Sequence, residues 1–331
     1  MNKRACLLVI FFLFLGQISF SQQTILSDSN LPIMLVTTDI DPQTNLPTEI
    51  PDEPKVLATM QLIYRPDGTR NYLTDSTNES YLNYDGRIGI ELRGSSSQAL
   101  DKKPYGFTTL LEDDDSNNNV SLLGMPSEND WVLNSLAYDP SMIRDYLSYT
   151  LASNMGNYAP RVAYIEVVVN GDYKGVYFLT EKVKRDSDRV NLKKIADDEN
   201  SFPELTGGYI VKADKTTGGD EIAWTMPNYG GWDTNFLHHY PKTEDITNEQ
   251  DNYIENVFYD LAAQTNPANT SIVDGYPSMI DIPSFVDYML MAEFASNPDS
   301  YQFSTYFHKD RGGKLRAGPI WDYNLSFGND L

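Results

Sequence analysis

Carboxylates are the side chains of this sequence best equipped to do chemistry. The 331 residues hold 47 Asp and Glu against three histidines, His238, His239 and His308, and one cysteine, Cys6. That inventory leaves almost no material for hydrolytic triads, thiolate nucleophiles or Cys/His zinc sites. The adjacent His238 and His239 could not aim both rings at one ion from an extended strand. Oxygen chemistry with a hard cation, Mg²⁺ or Mn²⁺, is what remains. Two acids near the C-terminal end are placed for it: Asp299, in Ser296-Asn297-Pro298-Asp299, and Asp322, in Trp321-Asp322-Tyr323-Asn324-Leu325-Ser326-Phe327-Gly328. Phosphoryl transfer asks for such a pair, one acid to accept the nucleophile's proton and one to hold the metal that bridges the nucleotide phosphates. By spacing alone, the two acids fit equally well as surface turn residues capping strands.

The elements around these acids follow from periodicity. A helix over Ser284–Ala295, with Phe285, Met289 and Leu290 facing inward, ends just before Asp299. A short strand at Ser304–His308 follows, then a Gly-Gly turn, and Leu315–Ile320 leads into Asp322. Upstream, strands are predicted at Val56–Tyr64 and Arg87–Leu92, the second running into the small-residue loop Arg93-Gly94-Ser95-Ser96-Ser97. Ser141–Met155 reads as a helix with Ile143, Leu147 and Leu151 on one stripe. A hairpin joins Tyr164–Val169 to Gly175–Val183 through Asn170-Gly171, and Gly207–Lys212 is a further strand. Thr247 and Gln250 form a capping box ahead of Ile254, Val257, Phe258 and Leu261. The polar loop at 216–231 reads as a connection, and Asp113-Asp114-Asp115 as a solvated hairpin tip without the glycine and distant glutamate of a calcium loop. Strands come first, with one helix among them, and helices later, which is an α+β order.

Residues 1–21 have the form of a secretory leader: Lys3 and Arg4, the apolar run Leu7–Leu15, then Ser19-Phe20-Ser21 before a cleavage point at Gln22. No later stretch approaches the roughly 20 apolar residues of a membrane span. Cleavage would remove Cys6 and shift the formal charge from −22 to −24. A surface so acidic repels nucleic acid and anionic membranes. The 22 tyrosines suit half-buried sheet positions.

Several segments, in order along the chain, resemble the CotH (spore coat protein H) kinase family. They are Arg93-Gly94-Ser95-Ser96, Leu123-Gly124-Met125-Pro126 with Asn129-Asp130-Trp131-Val132-Leu133, Asn170 to Tyr177 with Thr180-Glu181-Lys182-Val183, and Pro319-Ile320-Trp321-Asp322. The resemblance implies an atypical, two-lobed protein-kinase-like fold, with a β-rich N-terminal part and a helical C-terminal part. It implies a kinase that uses ATP with Mg²⁺ or Mn²⁺ to phosphorylate secreted or surface proteins. Asp299 matches the catalytic-loop Asp and Asp322 the metal-binding Asp. Asn324 stands where many members carry a second Asp, and Ser304 where a kinase-type loop supplies a metal-binding Asn. Both substitutions keep an oxygen ligand and lower the charge on the metal.

By the same resemblance, Arg93, Ser95 and Ser96 form the loop over the phosphates, Lys103 is the candidate phosphate-binding lysine, and Glu181 and Lys182 a hinge that contacts the nucleotide. A solvated lysine beside Lys102, and a cross-strand ion pair, are the plain alternatives for the last three. Arg144 is a helix residue that could orient a phosphate or carboxylate, and Trp131 and Trp321 read as core packing. The implied layout is a leader at 1–21, a β-rich leading segment at 22–84, and a kinase-like domain at 85–331 whose larger lobe would need further helices. A noncatalytic surface or coat assembly protein on the same fold is the alternative, favoured by Ser304 and Asn324. A carbohydrate-active enzyme would suit the aromatic content but has no motif here.

Overall fold

A computed structural model describes residues 26–216, 220–227, 231–265 and 268–330. The leader expected at 1–21 and parts of the loop at 216–231 lie outside the described residues.

The N-terminal half is a barrel. Its elements are β1 (Asp28–Ser29), β2 (Ile33–Thr38), β3 (Val56–Ile63), β4 (Asn71–Tyr72), β5 (Leu82–Leu92), β6 (Tyr105–Leu110), β7 (Asp130–Asn134), helix α1 (Arg144–Asn154), β8 (Val162–Val169) and β9 (Asp172–Glu181). Seven strands close in the order β2-β3-β5-β6-β7-β9-β8, while β1 and β4 pair separately. Neighbours in the barrel run antiparallel except at the seam, where β2 lies parallel to β8 with Ile33 opposite Glu166 and Val36 opposite Val169. Closure leaves no open edge to pair with another chain. The interior is filled by Met34, Met60, Ile88, Phe107, Leu133 and Tyr177, among others. Trp131 is buried with them, as the sequence reading has it. The β8–β9 turn falls on Asn170 and Gly171, both with positive φ (51° and 79°), as a two-residue hairpin loop requires. Staves come from both sides of residue 84, with β5 running across it.

The second half comprises β10 (Tyr209–Ala213), β11 (Trp224–Pro227), β12 (Asp233–Tyr240), α2 (Asn248–Gln264), α3 (Tyr276–Met279), α4 (Ile282–Ala295), β13 (Thr305–Lys309) and β14 (Leu315–Ala317). The expectation of a helical C-terminal part needs correction. Its centre is a five-stranded antiparallel sheet, β11-β12-β10-β13-β14. Helix α2 opens on the Thr247–Gln250 capping box and buries Ile254 and Phe258 against Trp224 and Phe236 of the sheet. Among the described residues no helix is long and apolar enough to cross a membrane.

Both predicted helix stripes are also corrected. In α1 the buried residues are Asp145, Ser148, Tyr149 and Ala152, and Ile143 and Leu147 are exposed. In α4 they are Ser284, Tyr288, Met291, Ala292 and Ala295, with Phe285 partly buried and Met289 and Leu290 half-exposed. The physical reason is mutual packing. Ala152 of α1 and Ala292 and Ala295 of α4 share one cluster with Tyr149, Tyr288 and Tyr323, and small side chains let the backbones approach while the tyrosines fill the space.

Candidate active site

A cleft of about 370 Å³ lies between the barrel and the five-stranded sheet, within the size range of small-molecule sites. The barrel side supplies the Arg93–Ser97 loop after β5 and the Asn134–Tyr138 segment after β7. The sheet side supplies Asp214 and Lys215 after β10, Asp299, Phe303 and Ser304 between α4 and β13, and Trp321, Asp322, Asn324 and Leu325 after β14, with Asp330. Of the sequence-predicted site residues, the cleft therefore gathers Arg93, Ser95, Ser96, Asp299, Ser304, Asp322 and Asn324.

Asp299 reaches the cleft because α4 stops. Ser296 takes the left-handed conformation (φ 49°) that ends a helix, and the carbonyl of Asp299 accepts from the N–H of Phe303 at 2.9 Å, closing a tight turn. Ser304, at φ 49°, then turns the chain into β13. Asp322 is itself left-handed, with φ 61°, a region L-residues mostly avoid and Asp tolerates better than most. Its N–H donates to Tyr149 Oη at 3.2 Å, and the next N–H, that of Tyr323, donates to Asp145 Oδ1 at 2.7 Å. Asn134 Nδ2 donates to the other oxygen of Asp145 at 3.3 Å. Helix α1 thus holds the Asp322 turn from behind. Arg144 adds to this, its Nε donating to Ser326 O at 2.9 Å while its guanidinium pairs with Asp139. On the cleft side, Asn324 Nδ2 donates to Asp322 Oδ1.

The charges are arranged against one another. Burial raises the Asp299 carboxyl above its ordinary range; Lys215 opposes this, and Asp214 and Asp330 add to it. Burial pushes Asp322 up to about 6, with the charge of Asp299 next in weight and Arg93 and Lys215 opposing. Behind them, burial carries Asp145 to about 8, reinforced by Asp322 and opposed by the Tyr323 N–H. The Arg93 guanidinium sits 5.8 Å from the Trp321 ring centre, Trp321 stacks on Tyr149 at 6.4 Å, and Lys215 Nζ lies 4.4 Å over Phe303. Trp321 is therefore a wall of the cleft as well as packing. Gly94 has φ 91°, and a Cβ there would collide with Ser97 Oγ, so the loop depends on glycine at that point.

The remaining predicted residues do not line the cleft. Lys103 Nζ donates to Gln98 O at 2.7 Å, bracing the Arg93 loop from outside. Glu181 is fully buried, paired with Arg161 at 2.9 Å and Arg189 at 3.1 Å. Lys182 follows it at the end of β9, its pKa drawn down to about 8 by desolvation against the pull of Asp130. Sequence reasoning missed Asp145, Tyr149, Asp214, Lys215 and Asp330. The signal for the first two was an i, i+3, i+4, i+7 series of Asp145, Ser148, Tyr149 and Ala152, overlooked because it is not apolar.

Among the described residues no three Asp, Glu, His or Cys groups gather into a metal cage. Two acids with an amide and a hydroxyl oxygen in one cleft nevertheless suit Mg²⁺ or Mn²⁺, which take few protein carboxylates and complete their shell with phosphate and water. The pKa of Asp322 is raised first by burial and then by the charge of Asp299, both of which a divalent cation would offset.

A family model described as CotH kinase protein matches residues 90–331. Among curated proteins, the inner spore coat protein H of Bacillus subtilis (strain 168) is 23% identical over 202 residues, covering 60% of this chain and 50% of that protein. The chain thus spans about half the length of the curated relative it matches.

Proposed function

The chain belongs to the CotH kinase protein family, and on that premise we propose that it is a secreted, ATP-dependent, protein-kinase-like enzyme phosphorylating hydroxyls of secreted or surface proteins. In this reading the barrel serves as the smaller lobe of a two-lobed kinase-like fold and the sheet with α2 and α4 as the larger one. The relative's name, inner spore coat protein H, agrees with an extracellular or coat-associated setting and with a leader at 1–21.

Asp299 accepts the proton of the substrate hydroxyl as its oxygen bonds to the γ-phosphorus. The bond from that phosphorus to the β–γ bridging oxygen breaks, and ADP leaves. Its raised pKa makes Asp299 a stronger proton acceptor than an ordinary carboxylate. Arg93, with the hydroxyls and backbone N–H groups of Ser95 and Ser96, binds phosphate oxygens. Lys215 adds a second positive charge on the opposite wall. Asp322 would hold Mg²⁺ or Mn²⁺, with Asn324 and Ser304 as neutral oxygen ligands, and the ion would neutralise charge on the phosphates.

The single observation that carries this reading is that Asp299 and Asp322, from two different loops, face one cleft, where the charge of Asp299 raises the pKa of Asp322. Thermal denaturation with ATP and Mg²⁺ or Mn²⁺ tests it. Metal-dependent stabilisation is expected in the wild type and absent in Asp322→Ala. A second reading, a noncatalytic coat assembly protein, is favoured by Asn324 and Ser304, and is selected if nucleotide and metal have no effect.

A further inference from the structure

A second cavity, also of about 370 Å³, lies between the C-terminal end of α1, the inner face of α4 and the β13–β14 pair. It shares no lining residue with the first cleft, although the wall formed by Gly318, Pro319 and Ile320 continues directly into Trp321 and Asp322. Its apolar surface comes from Ala152, Val190, Leu192, Tyr288, Met291 and Ile320. An engineered cavity of about 150 Å³ takes up benzene, so this one has room for two fused rings.

The two arginines at its rim are paired with acids, while the two carboxylates are hydrogen-bonded by neutral groups. Asp287 accepts from Asn157 Nδ2 at 2.9 Å, Arg316 pairs with Asp281 at 2.9 Å, and Arg189 with Glu181 at 3.1 Å. Asp310 accepts from the N–H groups of Lys193 and Arg311 at 2.9 and 2.8 Å. An anionic ligand would meet the uncompensated carboxylates of Asp287 and Asp310, so the lining disfavours anions.

Tyr158 Oη and Arg189 Nε, on the lining, are buried without a hydrogen-bond partner, and His308 offers an acceptor for recognition. His308 Nδ1 lies 2.9 Å from Gly318 O, and a carbonyl only accepts, so Nδ1 carries the proton and Nε2 is an acceptor. Among the described residues no hydrogen bond engages Nε2. Burial lowers the pKa of this histidine to about 4, so the ring stays neutral at physiological pH.

We propose that this cavity is a second binding site, for a small molecule without negative charge that has a flat apolar body and one hydrogen-bond donor directed at His308. Indole is a suitable probe, and 1-methylindole is its counterpart without the donor. Both are titrated into the full chain by ligand-observed NMR, with ATP and Mg²⁺ in excess so that the first cleft is not the site reported. Indole should bind saturably and about three- to tenfold more tightly than 1-methylindole, the worth of one hydrogen bond. In His308→Phe, which keeps a ring in place, that preference should vanish. Absence of saturable indole binding, equal affinity for the two probes in the wild type, or a preference that persists in His308→Phe would each overturn the proposal. The wild-type comparison decides the matter even if the variant fails to fold.

Discussion

The backbone N–H of Tyr323 donates to Asp145 Oδ1 at 2.7 Å, so a buried acid in helix α1 fixes the turn that carries Asp322. Tyr149, one helical turn further on, receives the N–H of Asp322 itself. The position of Asp322 is therefore set by a helix more than 170 residues away in sequence.

Asp145→Ala removes the acceptor and leaves a buried N–H unpaired, while Asp145→Asn keeps an oxygen in place. Supporting residues of this kind typically alter metal affinity 10- to 100-fold. Calorimetric titration of ATP with Mg²⁺ should show binding at least about tenfold weaker in Asp145→Ala and close to wild type in Asp145→Asn. Equal affinity in the Ala variant would show that the turn holds itself.

The raised pKa values of Asp145 and Asp322 set the pH dependence of the metal-free protein. Between the ordinary carboxylate value of 3.8 and the folded values of about 8 and about 6, the folded chain binds more protons than the unfolded one. The stability contributed by these protons is complete below 3.8 and is lost as pH rises through about 6 and then about 8. Urea melts at stepped pH should show this decline, and Asp145→Asn should flatten it between pH 6 and 8. An unchanged slope in the variant contradicts the assignment. Under the proposed function, metal binding should run in the opposite sense and strengthen as pH rises through about 6, because only the carboxylate form of Asp322 could serve as a ligand.

Arg93 combines a loop position over the cleft with a guanidinium near the Trp321 ring. A lysine keeps the charge and loses the planar fork and the stacking. Arg93→Lys should weaken ATP binding about tenfold, some 1.4 kcal/mol, with little change in melting temperature. Wild-type affinity in the variant would remove Arg93 from phosphate binding.

The reversed face of α1 gives a stability test. Ile143→Ser and Leu147→Ser, on the exposed side, should each cost less than about 0.5 kcal/mol. Ala152→Leu, on the packed side, should cost about 1–3 kcal/mol through overpacking. Chemical denaturation gives both numbers, and the opposite ranking would restore the apolar stripe.

The elements most legible in the sequence are those fixed by local signals. The Asn170-Gly171 turn, the Thr247 capping box and the alternation in β3 and β5 require no distant partner to be recognised. Strand β2 is harder to read: Ile33-Met34-Leu35-Val36 is a continuous apolar run, because this stave has little solvent-facing surface. The faces of α1 and α4 escape for a related reason, since Ala152, Ala292 and Ala295 are buried by helix-to-helix proximity and not by their hydrophobicity. Asp299 and Asp322 stand out through their positions at element ends and the family resemblance. Which other acids join them is a matter of tertiary partners. Glu181 meets Arg161 and Arg189 inside the protein, whereas Asp214 meets the cleft, and nothing local to either residue distinguishes them.

The central claim is best tested by phosphate transfer from radiolabelled ATP, with Mg²⁺ or Mn²⁺, to protein substrate or to the chain itself, in wild type, Asp299→Asn and Asp322→Asn. The account predicts transfer by the wild type, loss of transfer with nucleotide binding retained in Asp299→Asn, and loss of both in Asp322→Asn. Metal-dependent nucleotide binding without any transfer by the wild type, or transfer undiminished in Asp299→Asn, would contradict it.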